Sequence, residues 1–413
     1  MQPKPDPYPA DASDRIADLA WAAGFLFLYV LFDWLSFLRP YGGLDITPWN
    51  PPPGIVLAFL LLRGLKWFPL AFIGACLSDG LTRHFAAPIG PTLLADLVPT
   101  IGYSLAAWYL ARIHRIDPRL GSLQDVLRLL AVCLVTSLAV ASGFIGVYHW
   151  AGVIPIEDVS NVWLRYWIGD MIGLSIFAPL CLTLGQIALP PVRAPISSWT
   201  NLAQGFSILL ALWIVFGGDL AQHPILYYPL FMPLIWVGAW HGLQGVAVAL
   251  FATQVGMIVA IEQARLDTES VTEVQFFLLA LSLCCLLLGA VVTERRLVRA
   301  ALRDSQARLR AIVDVAPEGM LTLDANGCIE SANPAFSRLS GRSAEALIGN
   351  HAVTLFPYFT PLLEGGGGEC SLLRPDGSAV PVEISLGKAE LSFGALTVVA
   401  VHDMSRHPLA PAG

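Results

Sequence analysis

The sequence is dominated by apolar runs long enough to cross a lipid bilayer. A membrane-spanning helix needs about 20 consecutive apolar residues, and such runs follow one another up to Thr293. Hydrophobic residues make up 55% and charged residues 13% of the 413 positions, whereas soluble proteins carry about 25% charged residues. This composition disfavours a disordered chain, a collagen-like chain and a basic nucleic-acid-binding protein. The eight clear runs are Leu19 to Leu38, Thr92 to Ala111, Leu123 to Val147, Val162 to Leu184, Phe206 to Phe216 with its flanks, Ile225 to Ala239, Leu243 to Ile261 and Val274 to Val292.

The charged residues are unevenly distributed, and this locates a domain boundary. The chain through Thr293 carries 31 charges in 293 residues, while from Glu294 onward 24 charges fall in 120 residues. The sequence therefore predicts a tail of residues 1–18, a membrane domain of residues 19–293 and a soluble region beyond it. The formal net charge of -7 is shared by both parts, so it indicates no charged partner, and nucleic acid is not expected.

Two shorter apolar runs, Gly54 to Leu62 and Trp67 to Leu77, lie between the first two long ones. They form either two short spans or a re-entrant hairpin, and both alternatives add an even number of crossings. About ten segments then place most basic residues on one side, which the positive-inside rule assigns to the cytoplasm. We expect a multi-pass protein of the inner membrane with both termini cytoplasmic and no cleaved signal peptide. The basic residues on that side are Arg63, Lys66, Arg112, Arg115, Arg119, Arg193, Arg295, Arg296 and Arg299; Arg39, Arg83 and Arg265 are exceptions.

Ionisable residues inside apolar runs are costly and indicate a functional site by default. Here they are Asp33, Asp79, Asp96, Arg165 and Asp170. Asp170 either locks the helix bundle by pairing with an arginine or a hydroxyl group, or it contacts a ligand or ion. A structural role is favoured more strongly for Asp33 and Asp79, which lie nearer the ends of their runs. Arg165 either reaches the outer interface or shares a site with Asp170, because five residues along a helix give overlapping but not identical faces.

Two segments of the membrane region carry distinctive motifs. Trp49 to Ile55 reads WNPPPGI and is followed by Trp67-Phe68-Pro69; Trp163 to Gly173 reads WLRYWIGDMIG and is followed by Ala178-Pro179-Leu180. Over roughly residues 16–296, the chain resembles the first class of the MASE family, the membrane-associated sensor domains of bacteria. The resemblance implies an input domain placed ahead of histidine kinase, diguanylate cyclase or phosphodiesterase domains. It makes Asp170 and Gly169 candidates for contact with a signal or ligand. Arg165 and Asp96 are further candidates because they are ionisable residues inside apolar runs.

Residues 294–313 have the pattern of a connecting helix. Leu302 and Leu309 are seven residues apart, and Val298, Ser305 and Ile312 repeat at the same interval, as in a two-stranded coiled coil. This spacing predicts a signalling helix through which a homodimer forms. The alternative, compatible with the first, is that Arg295, Arg296, Arg299 and Arg303 hold the helix against anionic lipid headgroups.

Residues 314–406 have the strand, turn and short-helix signals of an α+β domain. A hairpin with an Asn326-Gly327 turn joins two strands, which begin at Gly319 and Cys328. Short helices follow at Asn333 to Phe336 and at Ala344 to Gly349. Three further strands are predicted at Glu369 to Arg374, Val380 to Leu386 and Leu396 to Val401.

Four short elements of this region resemble a PAS domain: Asn333-Pro334-Ala335-Phe336, Leu347-Ile348-Gly349, the turn from Arg374 to Ser378, and Asp403-Met404-Ser405. The resemblance covers about residues 305–406. It implies a domain that binds a small ligand or dimerises and then passes a signal to an effector. The structural and signalling candidates are Asn333, Pro334, Gly349, Asp376, Gly377, Asp403 and Ser405.

The sequence predicts neither a metal site nor a cofactor. The seven cysteines form no CxxC pair and have no histidine at metal-ligand spacing. Flavin photoreceptors of the PAS family have a cysteine just after the position of Gly349-Asn350, where this chain has Ala352. Haem-binding members carry their histidine further along a longer helix than His351, which we interpret as a surface residue. Neither flavin nor haem is therefore expected, and any PAS ligand stays open.

The sequence also lacks the motifs of common enzymes, so we expect no catalysis in this chain. It has no Gly-x-Ser-x-Gly motif, no P-loop and no HExxH motif, and residues 407–413 form only a short tail. The main hypothesis is a sensory receptor that serves as the input of a two-component or cyclic-dinucleotide pathway, with a separate histidine kinase or cyclase as output. The alternatives are a transporter or channel with a regulatory PAS domain, and a membrane scaffold that recruits a separate kinase.

Overall fold

The computed structural model describes residues 12–36, 49–85, 87–185, 199–217, 224–264, 268–357, 366–391 and 394–406. The chain divides into two units, Met1–Leu297 and Val298–Gly413, close to the boundary predicted after Thr293. Arg39, Arg193, Arg265, most of the N-terminal tail and the tail of residues 407–413 lie outside the described residues.

Helices form the first unit. They are α1 (Ala12–Ser36), α2 (Pro52–Arg63), α3 (Phe68–Thr82), α4 (Ile89–Tyr109), α5 (Leu123–Trp150), α6 (Val159–Leu184), α7 (Trp199–Phe216), α8 (Phe231–Ala264) and the first part of α9 (Thr268–Val315), whose residues from Val298 onward belong to the second unit. Within the described residues, seven helical stretches are long and apolar enough to cross a membrane. The helical membrane class is therefore confirmed, while the count of ten segments stays a prediction.

The eight predicted long runs correspond to seven stretches because two of the runs fall into α8 and the 3-10 turn before it. Pro224–Leu230 is a 3-10 helix rather than the start of an α-helix. Gly242 interrupts α8 with φ 66° and ψ -153°. A Cβ on Gly238 would lie 2.9 Å from Val246 Cγ2, although eight residues of straight helix span about 12 Å. The chain therefore reverses at Gly242, at the turn that separates the two predicted runs.

Helices α2 and α3 correspond to the short predicted pair, and a turn at Gly64 (φ 97°) separates them. Helix α2 has 12 residues, about 18 Å of length, which is well below the roughly 30 Å of a bilayer core. Every residue from Pro52 to Leu60 is buried. Helix α2 is therefore enclosed by the other helices and exposes little surface to lipid.

The second unit contains a five-stranded antiparallel sheet in the order β2-β1-β5-β4-β3. The strands are β1 (Gly319–Leu323), β2 (Ile329–Ala332), β3 (Gly367–Leu373), β4 (Ala379–Leu391) and β5 (Gly394–Asp403), with α10 (Pro334–Ser340) and α11 (Ala344–Leu347) between β2 and β3. Two aromatic rings of its core, those of Phe336 and Phe356, are fully buried, with their centroids 6.2 Å apart. All five predicted strands are present.

Strand β4 continues to Leu391, five residues beyond its predicted end. The buried side chains alternate up to Ile384, but Gly387, Lys388 and Ala389 are all exposed. This part of the strand pairs with β5 without covering a core. Sequence alternation reports only a strand with one buried face, so the extension had no signal.

Candidate functional site

The two motifs of the membrane region pack against each other around Asp170. The residue before a proline is held extended, so Asn50 lies outside α2 and its backbone N–H has no helical partner. That N–H donates to Gly169 O at 3.0 Å. The Asn50 side chain donates to Asp170 Oδ1 at 2.7 Å, and the Tyr103 hydroxyl donates to Asp170 Oδ2. Asp170 is fully buried, and each of its oxygens accepts a hydrogen bond.

Two glycines allow this close packing. A Cβ on Gly173 would overlap the Asn50 carbonyl oxygen, and a Cβ on Gly54 would lie 2.7 Å from Phe177 Cβ. Asp170 is near the middle of the 26-residue helix α6. Helix α2 therefore begins beside the middle of α6, where non-helical backbone is tolerated only if protein surrounds it.

A second polar cluster joins the C-terminal ends of α1 and α3. Arg83 Nη1 lies 2.6 Å from Asp79 Oδ1, and Arg83 Nη2 lies 3.1 Å from Asp33 Oδ1. The Ser78 hydroxyl donates to Asp33 Oδ2. Arg83 departs from the predicted charge distribution, and the two carboxylates, both singled out as ionisable residues in apolar runs, account for its position.

A cavity of about 170 Å³ lies between the two polar clusters. Asn50 and Tyr103 from the first cluster and Asp33, Asp79 and Arg83 from the second contribute to its wall. Asp96, on α4, contributes a further carboxylate and is 5% exposed. The cavity therefore brings together three of the ionisable residues singled out in the sequence, with Gly169 at its edge and Asp170 one residue away.

The predicted site residues are only partly assembled. Asp170, Gly169 and Asp96 lie at or beside the cavity, but Arg165 is not among its lining residues. Asp170 pairs with a hydroxyl group, one of the two partners considered from the sequence. Tyr103 and Asn50 were missed as site residues. A tyrosine in an apolar run is too common to stand out, and the Asn50 contact is 120 residues away along the chain.

At the start of the part of α9 that the predicted topology places in the cytoplasm, the helix contacts two turns of the membrane unit. Glu294 Oε2 accepts from the backbone N–H of Leu123 at 2.8 Å. Thr293 Oγ1 accepts from the N–H of Leu243 at 2.8 Å. Arg296 donates to the carbonyl of Trp240 at 2.7 Å. These contacts hold the start of the connector against the Gly242 turn and the N-terminus of α5, and they go beyond the lipid contact considered for Arg296.

In the second unit, Asn333 occupies the centre of a hydrogen-bond network. Its Oδ1 accepts from the N–H groups of Met320 at 2.9 Å and Phe336 at 2.8 Å. Its Nδ2 donates to the carbonyls of Val313 at 3.1 Å and Glu318 at 2.9 Å. Asn333 thus caps α10, whose first residue is Pro334, and ties the end of α9 to β1.

The other PAS candidates lie in separate turns. Gly349 and Gly377 adopt φ 84° and φ 82°, a conformation that favours glycine. Asp376 Oδ1 accepts from the Ser378 hydroxyl and amide, and these bonds lower the pKa of the Asp376 carboxyl. Asp403 Oδ1 accepts from the amide and hydroxyl of Ser405. His351 is exposed, as expected. These residues shape turns and do not converge on one site.

Comparisons with known proteins agree with this architecture. The MASE1 family model matches residues 19–296, and a PAS domain model matches residues 307–374. The sensor protein FixL of Bradyrhizobium diazoefficiens is 27% identical over 132 residues, which cover 28% of this chain and 26% of FixL. The chain thus spans about a quarter of the length of this curated relative.

Among solved structures, the PAS domain of an HTR-like protein from Haloarcula marismortui is 23% identical. It matches with a TM-score of 0.23 over 25% of this chain and 99% of that one. The PAS domain of nitrogen regulation protein NR(II) from Vibrio parahaemolyticus is 20% identical, with a TM-score of 0.21 over 23% and 96% of the two chains. Both resemblances stated from the sequence are confirmed by the family models: the chain belongs to the MASE1 family, and a PAS domain follows its membrane region.

Proposed function

We propose that this chain is a sensory input module of the bacterial inner membrane that relays a signal through α9 to its PAS domain. The observation that carries the proposal is α9 itself, one helix from Thr268 to Val315. Thr293, Glu294 and Arg296 attach it to turns of the membrane unit, and Asn333 attaches its last turn to the PAS sheet. A change in the membrane unit that alters the first contacts therefore acts on the helix that enters the PAS domain.

In this proposal both termini are cytoplasmic and the signal arrives from the opposite side. Most residues that line the cavity lie in the C-terminal parts of α1, α3 and α5, in the N-terminal parts of α2, α4 and α6, or in the turns beside them. Because these helices alternate in direction, the lining residues share one end of the unit. Arg63, Lys66, Arg112 and Arg115 lie at the other end, which the positive-inside rule places in the cytoplasm.

We propose that a homodimer of this chain signals to a separate histidine kinase or cyclase. The chain itself has no catalytic role in this proposal. Val298, Leu302, Leu309 and Ile312 form the predicted coiled-coil stripe, and each is between 57% and 61% exposed. An apolar stripe of this spacing suits a second copy of the same helix.

Disulfide cross-linking in membrane vesicles tests this proposal. Leu302→Cys and, as a matched control on another face of the helix, Leu297→Cys are placed in a chain whose native cysteines are replaced. We expect faster cross-linking at Leu302→Cys, and a changed rate when Asp170→Asn is added in the membrane unit. Equal rates at the two positions would overturn the dimer. A rate that is insensitive to the membrane unit would favour the scaffold.

A transporter or channel is the second candidate, and the non-helical backbone at Asn50, just before α2, favours it. Many transporters bind their substrate where a short helix begins inside the membrane, as α2 does beside Asp170. Proteoliposomes loaded with a proton-sensitive dye or labelled solutes would decide between the two functions. Flux that is lost in Asp170→Asn but kept in Asp117→Asn, an exposed control, would contradict the receptor.

A further inference from the structure

The wall of the cavity formed by helices α1 to α6 includes a carboxylate without a complete set of partners. Asp96 is buried, with only 5% of its surface exposed. The Cys76 thiol interacts with its carboxyl group, yet Oδ2 has no hydrogen-bond partner among the described residues. A buried charged oxygen without a partner is costly, so this atom is a position where a ligand gains energy that the protein alone does not supply.

The charge of the cavity wall favours a cation. Asp33, Asp79 and Asp96 are three carboxylates, and Arg83 is the one guanidinium among the described lining residues. Arg83 already bridges Asp33 and Asp79, whereas Asp96 lies on a different helix. A cation beside Asp96 therefore compensates charge without displacing an existing ion pair.

The rest of the wall favours an organic cation over a metal ion. Tyr29, Phe144, Tyr148 and Tyr166 line the cavity, and aromatic faces attract organic cations and pack against their carbon stems. Within the described residues, no group of three or more His, Cys, Asp or Glu side chains is arranged to hold a metal ion. The cavity volume is close to the roughly 150 Å³ of an engineered cavity that binds benzene, so the guest has about six non-hydrogen atoms.

We propose that this cavity binds a small aliphatic ammonium compound, whose N–H groups donate to Asp96 Oδ2 and whose carbon stem packs against the tyrosines. This assignment rests on the proposed sensory function and names the class of its signal. Most of its lining residues lie toward the end of the unit opposite the basic turns, so the proposed ligand comes from the side that the proposed topology places outside the cytoplasm.

The probe is butylammonium, and the neutral control of the same size is 1-butanol. The full chain in lipid nanodiscs is titrated with each compound, and thermal unfolding is followed by tryptophan fluorescence. This signal reports on the membrane unit because all 12 tryptophans lie at or before Trp240. We expect a saturable rise of the unfolding midpoint with butylammonium and none with 1-butanol or magnesium chloride.

Two variants test the role of Asp96. Asp96→Asn should weaken butylammonium binding by about 10- to 100-fold, the range for a lost charge-assisted hydrogen bond, while Asp117→Asn at an exposed position should leave it unchanged. If Asp96→Asn fails to fold, Ala75→Ile, which fills the cavity without changing its charge, should abolish binding instead. An equal response to 1-butanol, or an unchanged affinity in Asp96→Asn, would overturn the proposal.

The two proposals fail separately. If butylammonium does not bind but connector cross-linking still responds to Asp170→Asn, only the cavity assignment is lost. If butylammonium binds and the cross-linking rate never changes, the ligand site stands and the sensory relay is lost.

Discussion

Asn333 in the PAS unit and Asp96 in the membrane unit are both buried polar residues, but they use their hydrogen-bonding capacity differently. Asn333 is 2% exposed and makes four hydrogen bonds, two through each end of its amide. Asp96 is 5% exposed and leaves Oδ2 without a partner among the described residues. A group whose hydrogen-bonding capacity is fully used stabilises the fold and cannot bind a ligand. A buried acceptor without a partner can bind one if it lies beside a cavity.

Asp170 is intermediate between these two. Each of its oxygens accepts one hydrogen bond, and a carboxylate can accept about four. It both locks α2, α4 and α6 together and keeps acceptor capacity beside the cavity. The choice between a structural lock and a ligand contact, open from the sequence, is therefore a question of how much of the carboxylate is already used.

The largest effect is expected where packing around Asp170 leaves no space. Gly173→Ala places a Cβ on the Asn50 carbonyl oxygen, and neither backbone can move without breaking the Asn50 contacts. We expect a loss of about 3 kcal/mol or more in stability, measured as a lower unfolding midpoint by tryptophan fluorescence. Gly146→Ala is the matched control, since nothing lies within 4 Å of its added Cβ. Equal midpoints would disprove the tight crossing.

Asn333→Ala tests the group whose hydrogen-bonding capacity is fully used. It removes the cap of α10 and leaves four backbone groups of the PAS unit without their partner, for an expected loss of about 2–4 kcal/mol in local stability. Hydrogen exchange of β1 and α10 peptides in the full chain measures this loss. Asn326→Ala, in an exposed turn, should exchange like the parent. If the two variants behaved alike, Asn333 would not be the centre of the network.

Tyr103→Phe tests the Asp170 lock with a smaller change. It keeps the ring and removes one of the two donors to Asp170, so we expect a loss of about 1–2 kcal/mol. Thermal unfolding followed by tryptophan fluorescence measures it. Tyr109→Phe, at a 41% exposed position, is the control. A loss no greater than that of the control would mean that the Tyr103 bond adds nothing to the lock.

The sequence predicted the elements of the fold better than the contacts of the site. Apolar runs and strand alternation report burial along one segment, and they located the membrane helices and all five strands. The contact of Asn50 with Asp170 joins residues 120 positions apart, and no local pattern encodes it. Motif resemblance singled out both segments but gave no reason to place them together.

Arg83 shows that a departure from the predicted charge distribution can indicate a buried ion pair. It breaks the charge distribution of the predicted topology, and the structure supplies Asp33 and Asp79 as the reason. Arg296 is the opposite case. It obeys the distribution, so a lipid contact was sufficient to explain it, and its bonds to Ala239 and Trp240 carbonyls were not foreseen.

Arg296→Ala should therefore have the smallest effect on stability and a distinct effect on the relay. Arg296 is an exposed residue, so we expect a loss of no more than about 1 kcal/mol. The substitution nevertheless weakens the contact between the Gly242 turn and the connector. It should therefore change the cross-linking rate of Leu302→Cys by up to about fivefold. Arg299→Ala has the same charge change on the same exposed helix and should leave that rate unaltered. If both variants changed the rate equally, attraction to lipid headgroups, and not the bonds to the Gly242 turn, would control the connector.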